Sequence, residues 1–299
     1  DYAFQLTYVL RHVELAEGVQ AIGNGAFESN VNSLEGTPEE GTLKIPASLT
    51  SIGTSALGRI FYAYEVDPGN PNYSSVDGVL YSKDGSKLID YPSLRTADEF
   101  IVPATVKTIA EGAFKATYRT NSFVIPHTVE SISGDAFREC SNLREVYIED
   151  GVNVIAPSLM FYMCTNIQSV RLPEDTKLKL GATFHTNPSL ASVTIPAGTI
   201  SISQLTYGNA ILAGLETLTY NAKDAEIDAG IKVFSDNQQP FQLVIGDDVD
   251  VLPAEFDKIA RFQSEILFEP NNQITIEAGA FASAEEPLAS LSGTVYVDD

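Results

Sequence analysis

Tryptophan is absent from this chain, and cysteine, methionine and histidine are scarce. The 299 residues contain no Trp, two Cys, two Met and three His. The histidines, His12, His127 and His185, lie far apart in the sequence and lack the spacing of a metal-binding pair. No phosphate-binding loop, nucleophile-elbow serine or neighbouring Cys–His pair is present. These absences argue against enzymatic chemistry, and we expect no catalytic residue, no metal and no cofactor.

Basic residues and long apolar runs are also in short supply. The chain has 18 Lys and Arg against 40 Asp and Glu, a formal net charge of −22. Such a charge repels nucleic-acid phosphates and anionic lipid, so we expect no nucleic-acid partner, and it also suits the solubility of a large open surface. No run of 18 apolar residues occurs, so we expect no transmembrane segment in this chain. The sequence shown contains no leader of charged and then apolar residues, which is compatible with a signal or anchor segment outside it.

The chain does contain a sequence pattern that recurs about every 23 residues. An apolar residue, often followed by proline, marks each copy; an aliphatic residue usually follows seven positions later and a large one about twelve positions later. Three registers that repeat together indicate a solenoid, and the period belongs to the leucine-rich-repeat class. The marking residues are Leu15, Ile45, Val102, Ile125, Ile148, Leu172, Ile195, Tyr220, Ile245 and Phe268. The large residues are Phe27, Leu57, Phe114, Phe137, Met160, Phe184, Tyr207, Phe234, Phe256 and Phe281.

Each repeat predicts one short strand with a single buried face. Val146 and Ile148 alternate with Tyr147, as in a strand that packs on a core on one side. Proline after the marking residue ends the strand, because it has no N–H to donate. The spacing from Ile132 to Phe137 then predicts a helical or irregular turn whose Phe points inward and stacks on its equivalents in neighbouring coils.

We therefore predict an α/β solenoid, a right-handed leucine-rich-repeat superhelix. Its parallel β-sheet lies on the concave face, with short helical or irregular turns opposite and one inserted β-hairpin. Residues 1–299 form a single domain, and residues 1–12 and 287–299 are the expected caps, because end coils need polar cover. Cys140 and Cys164 take nearly equivalent places in neighbouring coils. They form either a disulfide or, in the simpler interpretation, two separate buried thiols.

A longer step interrupts the repeat between Leu57 and Phe114, where about one and a half repeat lengths are added. Residues 61–99 contain an Asp-Gly hairpin signal between apolar strands. Five of the 13 tyrosines fall here, among them Tyr73 and Tyr81. These two are candidate ligand-binding residues, because tyrosine gives a large contact area at a low entropy cost. Alternatively, the tyrosines form the small core on which the hairpin docks.

Two stretches carry a family pattern. They are Ile125, Pro126, Val129, Ile132, Ala136, Phe137, Cys140 and Leu143 in the repeat, and 70–73 with 77–81 in the insert. Together they resemble the BspA-type leucine-rich-repeat family, although the pattern departs after Ser201. Members of that family are typically exported or surface-anchored bacterial proteins, some of which bind host matrix proteins or other cells. The resemblance implies a non-enzymatic binding protein that is extracellular or displayed at the cell surface.

The outward positions of the predicted strands give a candidate partner site. The set is Ile101, Val124, Tyr147 and Arg171 in one row, with Glu99 and Glu145 at its rim. An apolar patch with a charged rim is typical of a protein-binding surface, while branched residues are also common in any strand. We expect a host matrix protein or another cell-surface protein as the partner. The alternatives are glycan binding through the insert tyrosines, against which the absence of Trp argues, and a structural spacer in an envelope assembly.

Overall fold

The structure is a computed structural model that describes residues 1–7, 10, 12–28, 41–154, 159–203, 205, 212–228, 233–234, 239–260, 263–269, 274–277 and 280. Over these residues the chain forms a parallel β-solenoid. Each regular coil has a long strand, a tight turn, a short strand and a wide turn. The predicted cap at 287–299 and the repeat positions Tyr207 and Phe281 lie outside the described residues.

The first coils already alternate between two sheets. Their strands are β1 (Ala21–Ile22), β2 (Thr42–Ile45), β3 (Ser51–Ile52) and β4 (Ala63–Val66). β1 pairs with β3 and β2 with β4, both in parallel. Leu15, predicted to mark the first strand, lies outside any strand and packs on the core as a partly buried side chain.

The first residues follow the path of a wide turn. The backbone N–H groups of Tyr2 and Phe4 donate to the carbonyls of Asn24 and Ala26, as Phe27 donates to a carbonyl of the next coil. Phe4 also stacks on Phe27 at a centroid distance of 5.3 Å. Residues 2–4 therefore repeat the turn that follows them, and a capping role for 1–12 stays a prediction.

The insert contains an additional coil that is enlarged by a β-meander. β5 (Tyr73–Val76), β6 (Val79–Ser82) and β7 (Lys87–Asp90) pair in antiparallel order, which confirms the hairpin. However, β7 also pairs in parallel with β9 (Thr108–Ile109), so the insert ends as the short strand of a coil. The repeat pattern does not reveal the coil's long strand, β4, because Tyr73 and Gly78 stand where an aliphatic and a large residue would follow Val66.

The middle of the chain holds the most regular coils. Its strands are β8 (Ala97–Ile101), β9, β10 (Thr120–Ile125), β11 (Ser131–Ile132), β12 (Glu145–Ile148), β13 (Asn153–Val154), β14 (Ser169–Arg171) and β15 (Leu178–Leu180). The long strands form a parallel sheet in the order β14-β12-β10-β8, and β13-β11-β9-β7 continues the short-strand sheet. We call the sheet of long strands the long-strand face.

The C-terminal coils keep the same order. They contain β16 (Ser192–Ile195), β17 (Thr199–Ile202), β18 (Thr217–Tyr220), β19 (Glu226–Ile227), β20 (Phe241–Ile245), β21 (Val251–Leu252), α1 (Asp257–Ala260), β22 (Gln263–Phe268) and β23 (Thr275–Ile276). The long strands pair as β16-β18-β20-β22. The helical part of the α/β prediction thus reduces, over the described residues, to one helix of four residues.

Over the described residues, the aliphatic residues seven positions after the marking residues lie in short strands: Ile22, Ile52, Ile109, Ile132, Ile202, Ile227 and Leu252. Ile132, predicted to enter a helical or irregular turn, pairs in parallel with Ile109 of the preceding coil. In a two-residue strand the backbone N–H and C=O groups form hydrogen bonds with the neighbouring coils. The isoleucine is therefore buried without loss of backbone hydrogen bonds. The right-handed coiling and the concave position of the long-strand face stay predictions.

The core is a column of stacked phenylalanines between the two sheets. Phe114, Phe137, Phe161 and Phe184 stack in sequence, with centroid distances of 4.8, 5.5 and 6.1 Å. This confirms the predicted spine, with Phe161 in the place expected for Met160. Since each ring packs on the ring of the next coil, contacts between neighbouring coils supply much of the stability of the solenoid.

The two cysteines are free and buried, as the simpler interpretation predicted. Cys140 Sγ donates to the carbonyl of Phe114, and Cys164 Sγ to that of Phe137, each over 2.9 Å. In the next coil the side-chain amide of Asn187 donates to the carbonyl of Phe161 over 2.9 Å. Each of these side chains therefore ties its own coil to the wide turn of the preceding one.

Candidate functional site

The structure brings the predicted row of outward residues together on the long-strand face. Val124 pairs with Ile101 on one side and with Tyr147 on the other, and Tyr147 pairs with Arg171. Parallel strands in register place such residues side by side on one face of a sheet. The repeat period therefore positioned this row correctly.

The apolar members of the row reach the surface. Ile101 is 58% exposed and Tyr147 is 40% exposed, while Val124 is partly buried between them. The alternate residues Phe123 and Val146 are buried in the core. The row is thus an exposed apolar strip on a rigid, hydrogen-bonded sheet.

Arg171 closes one end of the strip in a fixed position. Its guanidinium lies over the Tyr147 ring at 4.9 Å and donates to Asp150 Oδ1 and Oδ2 over 2.9 and 2.8 Å. It also donates to the carbonyl of Ile148 over 2.6 Å. Hydrogen bonds from Arg171 and from the Glu174 backbone lower the pKa of Asp150, so this carboxylate stays ionised. The contacts hold the tyrosine and the arginine in one arrangement.

The predicted rim is acidic and exposed. Ser122 lies between Glu99 and Glu145 in the next row of the same sheet, since it pairs with both. Both glutamates are exposed. The strip is therefore bordered by carboxylates and ended by a cation, which favours a partner with a complementary charge pattern.

The insert tyrosines do not form a joint site. Tyr81 is only 3% exposed and belongs to the core, which corrects its assignment as a ligand-binding residue. Tyr73 is partly buried and packs on the core of the first coils. Because Tyr73 pairs with Ser82 and Tyr81 with Ser74, the two rings point to opposite sides of the hairpin. Burial raises the pKa of both phenols, of Tyr81 to about 12.

A polar pocket, which the sequence pattern does not predict, lies at the junction of the insert and the regular coils. Leu88 pairs with Ile109, and the Tyr91 N–H donates to the carbonyl of Ala113, in the wide turn just before Phe114. Only residues 89 and 90 separate Leu88 from Tyr91, whereas four residues separate Ile109 from Phe114. The short turn leaves a pocket of about 210 Å³ between the flanking wide turns.

Charged side chains line this junction pocket. Lys115 Nζ lies 3.1 Å from Glu28 Oε1, and Arg59 forms an ion pair with Glu139. Arg138 binds Glu139 as well, with Nε 3.0 Å from Oε1. The Lys115–Glu28 and Arg59–Glu139 pairs join turns that are far apart in the sequence, so no local motif indicates them.

Asp90 is the remaining acid of the junction pocket. Its Oδ2 accepts a hydrogen bond from the buried Tyr64 hydroxyl. Burial raises the pKa of Asp90 to about 8, against the opposing effect of that hydrogen bond, and burial with the nearby carboxylate raises the pKa of Tyr64. The carboxyl is therefore largely protonated at neutral pH.

Two further properties concern the described residues alone. No group of three or more His, Cys, Asp or Glu side chains is arranged there to hold a metal ion. None of the helices in that part of the chain has the length and apolar character needed to cross a membrane.

The fold and the repeat together define a leucine-rich-repeat solenoid. The sequence model of the BspA type leucine rich repeat region matches residues 1–67 and 93–237 in six copies. This match extends over more than half of the chain, and the protein belongs to the BspA-type leucine-rich-repeat family. Its unmatched interior, 68–92, contains the meander of the insert. No curated protein sequence is significantly similar to the chain.

Solved structures of other repeat proteins share this fold. The pneumococcal vaccine antigen PcpA has a TM-score of 0.64 at 21% identity, with 90% of this chain and 68% of that chain covered. A leucine rich cell surface protein from Faecalibacterium prausnitzii A2-165 has a TM-score of 0.57 at 25% identity, with 74% and 62% covered. A leucine-rich repeat protein from Eubacterium ventriosum has 0.51 at 24% identity, with 69% and 59% covered. This chain therefore spans less than two thirds of the latter two proteins.

Proposed function

We propose that the protein is a non-enzymatic, exported or cell-surface binding protein that recognises a protein partner through the long-strand face. The observation that carries this proposal is the exposed strip of Ile101, Val124 and Tyr147 ended by Arg171. Its mechanism is surface complementarity, with no bond made or broken.

The composition of the strip supports a protein partner. Tyrosine and arginine are enriched among the residues that dominate binding energy at protein interfaces. Arg171 is already ordered by Asp150 and by the Tyr147 ring, so binding loses little side-chain entropy. The acidic rim of Glu99 and Glu145 would select partners with basic groups around an apolar centre.

Family membership and structural neighbours support the location. One neighbour is described as a cell surface protein and another as a vaccine antigen, and both share the solenoid fold. We extend the surface location from them to this chain. If the protein were only a structural spacer, no partner would bind it saturably. The glycan alternative is weakened, because one of its two tyrosines, Tyr81, is buried in the core.

The test is an array of purified extracellular-matrix proteins, probed at physiological salt with the wild-type chain and with Ile101→Asp. We expect a saturable protein signal that Ile101→Asp weakens by about tenfold or more, because a charge in an apolar contact must be desolvated. Ile276→Asp is the matched control, since Ile276 is 55% exposed on a short strand. Equal losses in both variants, or no saturable protein signal, would contradict the proposal.

A further inference from the structure

We propose that the junction pocket binds a neutral, polyhydroxylated molecule of about the size of a monosaccharide. The pocket is lined by residues of the wide turns and the end of β7, so it is separate from the strip on the long-strand face. Its ligand would add to the protein partner proposed above, and either function can fail without the other.

The volume sets the size of the ligand. About 210 Å³ corresponds to about seven water molecules, at ~30 Å³ each. A hexose ring with its hydroxyl groups fits such a space. Pockets for drug-sized ligands and cofactors are larger, at about 300 Å³ or more, so only a small ligand can lie wholly inside this pocket.

The charge balance favours a neutral ligand. Lys115, Arg59 and Arg138 already have carboxylate partners in Glu28, Glu139 and Asp135. A charged ligand would add a charge for which this partly buried lining holds no spare counter-charge, which is costly. A neutral ligand leaves every pair intact.

The lining nevertheless offers many hydrogen bonds. A guanidinium has five N–H donors and a carboxylate has about four acceptor positions, so the paired side chains keep free capacity. Over the part of the chain that the structure describes, Asp90 makes one hydrogen bond, to Tyr64, and its carboxyl borders the pocket. Hydroxyl groups both donate and accept, so a polyol satisfies donors and acceptors together.

The ion pairs also prepare the site for binding. Arg59, Lys115 and Glu139 have side chains that are only 18–20% exposed, so their positions are restricted before a ligand arrives. Apolar side chains of similar volume would close the gap left by the short turn with equal or greater stability. A charged, open lining at this point is therefore better explained by a polar ligand than by the needs of the fold.

The experiment measures binding of free sugars to the 299-residue chain by ligand-observed NMR and calorimetry. The probes are glucose, galactose, mannose, fucose and N-acetylglucosamine, with glucuronate and glucosamine as the anionic and cationic counterparts. The pocket variants are Asp90→Ala, which removes the hydrogen-bonding group, and Lys115→Gln. Lys107→Gln is the matched control, because Lys107 pairs with Glu130 at 3.5 Å outside the pocket.

We expect at least one neutral sugar to bind saturably, with affinity that falls about tenfold in each pocket variant and stays unchanged in Lys107→Gln. Ile101→Asp should leave sugar binding unchanged, which separates this site from the protein-binding strip. Three results would overturn the proposal. They are no saturable binding up to about 10 mM sugar, tighter binding of a charged counterpart than of every neutral sugar, or equal losses in Lys107→Gln.

Discussion

At the scale of single residues, the buried polar groups of the wide turns show how one coil is fastened to the next. Cys140, Cys164 and Asn187 occupy equivalent places and donate to equivalent phenylalanine carbonyls. The thiols thus act as donors as well as apolar filling. A buried carbonyl that loses its donor keeps the desolvation cost, so the donor matters more than its modest net strength indicates.

Replacement of Cys164 separates these two contributions. Cys164→Ala removes the donor and part of the volume, and we expect it to lower the free energy of unfolding by about 1–2 kcal/mol. Cys164→Ser keeps a donor in nearly the same place and is expected to lie closer to wild type. Urea unfolding of the three proteins measures the order. Greater damage from serine than from alanine would show that packing outweighs the hydrogen bond.

Asp90 gives the fold a definite pH dependence. Its pKa is raised to about 8 by burial, so from about pH 4 to about pH 8 the folded chain keeps a proton that the unfolded chain releases. The free energy of unfolding therefore falls as pH rises through this window. Asp90→Asn cannot ionise and should be more stable than wild type at about pH 8, by about 1–3 kcal/mol.

The gain should shrink towards about pH 4, where both proteins carry a neutral side chain at this position. Denaturant unfolding at a series of pH values measures it. Asp98→Asn is the control, because Asp98 is exposed on β8 and lies outside the pocket. A constant difference between Asp90→Asn and wild type across the window would contradict the protonated state of Asp90.

At the scale of elements, close packing between coils limits which residues the turns accept. Gly58 and Gly85 both have positive φ, at 65° and 71°. A Cβ on Gly58 would lie 1.9 Å from the carbonyl oxygen of Phe27, while one on Gly85 would lie 4.0 Å from Thr105 Oγ1. The two glycines thus share the backbone requirement and differ in the space available.

Alanine at the two glycines therefore gives a matched pair. Gly85→Ala should cost about 1 kcal/mol of stability, from backbone strain alone. Gly58→Ala should cost roughly 2 kcal/mol more, because the wide turn must move away from the preceding coil. Thermal and urea unfolding measure both. Equal costs would show that the stacking of wide turns is looser than the structure indicates.

The same scale shows what the sequence could predict. The period placed Val124 between Ile101 and Tyr147, because equal steps along the chain put equivalent residues side by side. The short strands were missed, because two residues such as Ser131–Ile132 are too few to show alternation. Strand β4 was missed because the hairpin displaces the aliphatic and large residues that would follow Val66, leaving Tyr73 and Gly78 at those positions. For the insert tyrosines the sequence allowed either ligand contact or a small core, since the burial of Tyr81 depends on how the meander docks.

At the scale of the whole molecule, the insert separates the buried side chains into two clusters, while the succession of coils continues through it. One buried cluster contains Tyr64 and Leu80, and the other contains Tyr81, Tyr91 and the remaining coils. Tyr91 takes the next spine position, 5.9 Å from Phe114, and extends the column by one ring towards the insert. The junction pocket forms where the short turn between Leu88 and Tyr91 lies beside the wide turns of the neighbouring coils. It depends on pairs such as Glu28 with Lys115, whose separation in the sequence hides them from any local motif.

The long-strand face extends along the molecule, and the strip around Tyr147 lies in its most regular part. Because each coil contacts only its neighbours, a change at the strip should leave distant coils intact. Binding at the strip can therefore be tested directly on the folded chain.

Site-specific photo-crosslinking tests the central claim most directly. A photoreactive phenylalanine analogue replaces Tyr147 in one protein and Ile276 in another, and each is irradiated with the matrix protein that binds the wild-type chain. We predict an adduct from position 147 and none from position 276, with competition by excess wild-type chain. An adduct from position 276 alone, or binding without any adduct from position 147, would contradict the assignment of the long-strand face as the partner surface.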